Sequence, residues 1–238
     1  MVDVAFDVNV GMFLCAEGED LLAPGTREQL LTGISETLRG LGLPEHCEPR
    51  VLAEIDPPLE READPCLLGV RLGFYGSEKY QRLAAFAQHL AVHGTVPSAR
   101  QGSDAAIEQR YNEMPDRRLA FDHVIAVTGG LGTIVLPQPF DEVIPGVRKS
   151  SGHGPLVSAH RLRIESVALA YALRYVDVRD YDWIGGSVLS VGPFSQLDAR
   201  VEDDPDVVQA WADEADLCHR LLKVAVDILR TGALGITS

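Results

Sequence analysis

DPDVVQAWADEADLCHRLLKVAVDILRTG, residues 204–232, is the stretch on which the fold turns. Asp204 has a helix N-cap side chain, and Pro205 suits the first helical position, where no amide hydrogen is needed. Gly232 stands where a left-handed C-terminal residue belongs. Between these ends Val208, Trp211, Ala215, Cys218, Leu222, Ala225 and Leu229 recur at alternating steps of three and four residues. That spacing lays one apolar stripe along the helix. A second row, Leu217, Leu221, Val224 and Ile228, widens the arc beyond a coiled-coil seam, so the helix is expected to pack into its own chain's core.

The opposite end of the chain shows the other period. Val2, Val4, Phe6, Val8, Val10 and Met12 occupy every second position, with Asp3, Asp7 and Asn9 between them, which predicts a strand with one buried face. Thr26 and Gln29 have capping-box spacing ahead of Leu30, Leu31, Ile34 and Leu38, which predicts a helix over 27–41. Strands are expected near 50–55 and over 67–75, and Ser77 opens a helix to about His93. A short helix behind Ser103 carries Ile107, Tyr111 and Met114 on one face, with Pro115 as its stop.

Phe121 to Val127 and Thr133 to Leu136 are β-branched runs joined through Gly129, Gly130 and Gly132, which predicts a hairpin. Residues 155–175 read as a helix apolar on both faces, hence centrally packed, and 188–191 as a further strand. The expectation is an α+β fold in a single compact domain over 1–238, with a mixed or antiparallel sheet packed against several helices and a long C-terminal helix. The acidic, proline-bearing stretch 56–66 is where a domain boundary would fall, though it reads better as a loop.

Of the 238 residues, 35 are acidic and 21 basic, and 21 − 35 gives −14. Such a charge repels a phosphate backbone, which argues against nucleic acid as a partner. No apolar run is long enough to span a bilayer, and the N-terminus lacks the basic lead-in of a secretion signal, so neither membrane insertion nor export is expected. Cys15, Cys47, Cys66 and Cys218 are widely spaced, as reduced thiols in a cytoplasm are.

Five residues of one segment are the candidate site. Arg148, Lys149, Ser150, Ser151 and His153 concentrate basic and hydroxyl groups just before an expected helix start, chemistry that suits a phosphate or carboxylate. Elsewhere the residues favour structural readings. His89 and His93 stand one helical turn apart, but Leu90 occupies the place of a hydrolytic glutamate, and no metal is expected there. The glycines at 129, 130 and 132 lack the fourth glycine and the following helix of a dinucleotide loop. No nucleophile elbow is present, and His160, on an apolar face with Ile164, Val167 and Tyr171, reads as a core histidine. Catalytic residues and cofactors are assigned as none.

Phe121-Asp122-His123-Val124-Ile125, Leu136-Pro137 with Phe140, the Gly152 to Glu165 segment and Arg230-Thr231-Gly232 together resemble a bacterial family that has no assigned function. The resemblance covers the C-terminal half and implies a cytosolic bacterial α+β protein. That family carries histidine, serine and aspartate in a short polar stretch where this chain has Ala126-Val127-Thr128-Gly129-Gly130, so no functional residue is carried over. The expected function is therefore a non-enzymatic acidic module, monomeric or homodimeric, that binds a basic protein as an immunity-type inhibitor would. The alternative is an enzyme or small-ligand sensor holding an anionic group at the 148–153 loop.

Overall fold

The computed structural model describes residues 5–10, 26–49, 70–74, 76–97, 104–146, 153–174, 201 and 204–238. Arg148 to Ser151, the strands expected near 50–55 and 188–191 and the stretch 56–66 lie outside them. The elements are β1 (Ala5–Val10), α1 (Thr26–Gly40), β2 (Val70–Phe74), α2 (Glu78–His93), α3 (Ala105–Asn112), α4 (Asp122–Gly129), β3 (Ile134–Leu136), β4 (Leu156–Ser158), α5 (Ala159–Ala172), α6 (Pro205–Ala210), α7 (Ala212–Thr231) and β5 (Gly235–Thr237). A 3-10 turn at Arg117–Leu119 precedes α4. The architecture is α+β, as expected.

The strands form one mixed sheet in the order β2-β1-β5-β3-β4, antiparallel except for the parallel pair β3 and β4. Alternation sets its two faces. Phe6, Val8, Val10, Val135 and Val157 join one apolar cluster with α2, α5 and α7, while Ile134, Leu136, Leu156 and Leu234 join another with Ile34 and Leu38 of α1. The sheet is thus covered on both sides. The strands 5–10 and 70–74 and the helices 26–40 and 78–93 fall where their periods place them.

The C-terminal stripe is buried along its middle, while Val208 and Leu229 at its two ends are half-buried. Leu217, Cys218, Leu221, Val224, Ala225 and Ile228 are all fully buried, chiefly against α5. Each leucine or isoleucine so buried contributes about 1.5–3 kcal/mol. Asp204 Oδ1 accepts from the Asp206 amide at 2.9 Å, and Gly232 ends the helix at φ +69, its amide donating to the Ile228 carbonyl. Trp211 interrupts the run between α6 and α7, and its indole packs edge-on against Phe86 of α2 with ring centroids 5.0 Å apart.

Three expectations are corrected. Phe121 to Val127 is not a strand: residues 122–129 form α4, so Gly129, Gly130 and Gly132 link a helix to β3 and close no hairpin. β-branched propensity gives way here to a tertiary N-terminal cap, described below. The helix expected over 155–175 begins later, because Leu156, Val157 and Ser158 are first taken up as β4 beside β3, and Ser158 then serves as the N-cap of α5. The cap of α3 is Asp104, whose Oδ1 accepts from the Ala106 amide at 2.8 Å, and α3 ends at Asn112, ahead of Met114. Beyond Gly232 the chain adds an element that no period in the sequence marks: Gly235–Thr237 is β5, the strand between β1 and β3.

Gly154 explains how β4 comes so close to the turn before β3. A Cβ there would lie 1.9 Å from the Gly132 carbonyl oxygen, so only glycine fits. Gly132 itself sits at φ +79.

Candidate functional site

Among the described residues, the densest polar constellation lies where α4 meets α5. Helix α4 begins at Phe121, which offers no side-chain cap, so its first amides need acceptors from elsewhere. Glu165, fully buried in the middle of α5, supplies them: Oε2 accepts from the His123 and Val124 amides, each at 3.0 Å. Its other oxygen, Oε1, faces His123 Nδ1 at 2.9 Å and receives Arg161 Nη2 at 3.3 Å. A carboxylate only accepts, so Nδ1 carries the imidazole proton. His123 Nε2 is left buried without a hydrogen-bond partner. Arg161, one turn before Glu165, extends Nη2 to the Arg118 carbonyl at 2.8 Å.

A second layer braces the same helix end. Asp122 is held by Arg117 through Nε at 3.0 Å and through Nη2, and accepts the Tyr111 hydroxyl at 2.9 Å. That hydroxyl accepts in turn from the Phe121 amide at 2.8 Å. Burial and the Asp122 carboxylate push the Tyr111 phenol far above its ordinary value, so it stays a neutral donor. Chemically the node has a glutamate-oriented imidazole with a free Nε2, the arrangement a general base uses. Its ring is fully buried beside Phe140, however, and both Glu165 oxygens are committed, Oε2 to two amides and Oε1 to His123 and Arg161. The node holds α4 onto α5.

A second buried imidazole and carboxylate pair lies on the α1 side of the sheet. His46 Nε2 donates to Glu48 Oε2 at 2.5 Å, and its Nδ1 accepts from Gln138 Nε2 at 3.0 Å. Glu48 Oε2 also accepts the Leu234 amide at 2.9 Å, which ties residues 46–48 to the chain entering β5.

Of the predicted anion-site residues, Arg148, Lys149, Ser150 and Ser151 are outside the described residues, and His153 turns inward. His153 is buried; Nδ1 donates to the Gly154 carbonyl at 2.7 Å, and Nε2 meets the Thr37 hydroxyl of α1 at 2.9 Å. Both ring nitrogens serve to seat the chain before β4 against α1. His160 is half-buried, with burial and then Arg163 lowering its pKa.

On α2 the predicted polar flank is only partly solvated. His93 is exposed, but His89 is half-buried and its Nδ1 is buried without a partner. The two rings lie 4.6 Å apart between centroids and are tilted by 42°. A small cavity between α2 and α3 is lined by Phe86, Gln88, His89, Pro97, Asp104 and Ile107. Burial, then the neighbouring imidazole, hold His89 below the ordinary histidine pKa.

Sequence reasoning missed Glu165, Arg161, His46 and Glu48. The first two carried a usable signal: a glutamate and an arginine spaced i, i+4 inside a helix apolar all round must be buried and paired. His46 and Glu48 lie in no periodic segment. Among the described residues no group of three or more His, Cys, Asp or Glu side chains is placed to hold a metal ion, and no helix is long and apolar enough to cross a membrane. No family model, no curated protein and no solved structure matches this chain.

Proposed function

We propose that this protein is a non-enzymatic acidic module that binds a basic protein partner, as an immunity-type inhibitor does. One observation carries the reading: each buried carboxylate among the described residues has a basic side chain beside it. Glu165 meets Arg161 and His123, Glu48 meets His46, Glu214 meets Arg82 at 2.5 Å, and Asp227 meets Lys223 at 2.9 Å. Among the described residues the interior therefore pairs acid with base, while Glu28, Glu36, Glu108, Asp141, Asp206 and Asp213 face solvent, in a chain whose net charge is −14. An outward negative field of this kind steers a basic protein into encounter and rejects acidic ones.

The experiment is capture of a partner from the source lysate, its recombinant production, and stopped-flow measurement of association over a salt series. A saturable one-to-one complex with a basic protein is expected, its association rate falling roughly tenfold or more as salt rises. A rate indifferent to salt, or a partner without net positive charge, would sink the reading.

A further inference from the structure

His89 and His93 share no residue with the acidic-surface argument, and their geometry answers a different question. A metal-bound imidazole at a metal to nitrogen distance of about 2.0–2.1 Å has its ring centroid about 3.2 Å from the ion. Two such rings on one ion, separated by between a right angle and a tetrahedral angle, have centroids about 4.5–5.2 Å apart. The rings of His89 and His93 are 4.6 Å apart and tilted, not stacked flat. Their i, i+4 spacing on α2 places both on one helix face.

A second observation points to an occupant. His89 Nδ1 is buried yet bonded to nothing, and the ring borders the cavity between α2 and α3. A buried donor or acceptor left without a partner costs free energy that a ligand would recover. Asp104 lines the same cavity and its negative charge acts on His89, so a cation bound at this ring sits in a favourable field. Leu90 follows His89 and is buried, so no carboxylate adjoins the first histidine to activate a bound water.

We infer that His89 and His93 chelate one divalent transition-metal ion of the copper and zinc class at the junction of α2 and α3, with water completing its shell. Imidazole is a borderline ligand that prefers these ions to calcium or magnesium, and copper(II) binds most tightly in the divalent series. The ion bridges two imidazoles at the C-terminal end of α2 and draws Asp104, the N-cap of α3, toward them by charge. It binds without hydrolytic chemistry.

The test is titration of the full chain with copper(II) and, separately, zinc sulfate, followed by calorimetry and by electron paramagnetic resonance of the copper form. One equivalent is expected, with a two-nitrogen equatorial signature and a rise in Tm for either metal. Two ligands on one rigid helix act as a bivalent site, so His93→Gln and His89→Gln should each weaken binding by about 10²-fold. His93 is exposed, so its replacement leaves the fold intact even where that of His89 perturbs the packing. His219→Ala, on the exposed flank of α7, should change nothing. Undiminished copper affinity in His93→Gln, a one-nitrogen signature, or no binding by the wild-type chain overturns the inference.

Discussion

Helices α6 and α4 begin in opposite ways. The first is capped from within: Asp204 accepts the amide two residues ahead, and Pro205 removes one amide that would need a partner. The second is capped from a distance, by a glutamate far along the chain in α5 that also grips an imidazole and a guanidinium. A local cap stabilises one helix end by itself. A remote cap makes two helices depend on each other, because neither the α4 amides nor the buried carboxylate is satisfied alone. The contrast ranks four substitutions.

Glu165→Ala is the severest. It strips acceptors from two amides, from His123 and from buried Arg161, and removal of one partner from a buried charged set costs about 3–5 kcal/mol. Urea unfolding monitored by circular dichroism should show the midpoint falling accordingly. Were Glu165→Ala milder than loss of the local cap at Asp204, the remote carboxylate would not be what holds α4, and the comparison would collapse. Arg161→Met should follow. It keeps the stem's packing but removes the donor to Glu165 and to the Arg118 carbonyl, at about 1.5–3 kcal/mol, read on the same curves.

The contrast also decides what could be read from the chain beforehand. The ends and stripe of residues 204–232 were legible because a local cap and a 3.6-residue period are written in neighbouring positions. Helix α4 was not, because Val124, Ile125 and Val127 favour a strand locally and the acceptor that overrides them is Glu165. β4 failed for a similar reason: three apolar residues running into a helix look like its first turn until β3 pairs with them. Of the candidate anion site, only His153 lies among the described residues. His153 stands in a polar segment, yet its ring bonds Thr37 and Gly154, and no property of the segment itself foretells a partner in α1.

Asp204→Ala sharpens the comparison from the local side. Loss of one N-cap acceptor costs about 1 kcal/mol. Because the cap serves α6 alone, hydrogen exchange should speed up at the amides of residues 206–208 and stay unchanged in the middle of α7. Acceleration spreading to Leu221 or Val224 would show that α6 and α7 open as one unit, so that even a local cap has remote reach.

The smallest effect is expected at Arg39, and it tests whether exposed contacts hold anything in place. Arg39 at the end of α1 pairs with Glu45 at 2.7 Å, but the two side chains are 64% and 56% exposed, so water competes for both and salt screens them. Such a pair contributes about 0–1 kcal/mol. One residue on, His46 is buried against Glu48, which also takes the Leu234 amide, so residues 46–48 already have an anchor that solvent does not reach. Arg39→Ala should therefore lower the unfolding midpoint barely, and the difference from wild type should vanish in high salt. A loss above 1 kcal/mol that survives high salt would mean that the exposed rim fixes this segment and that the buried pair merely follows, reversing the order that Glu165 and Asp204 establish.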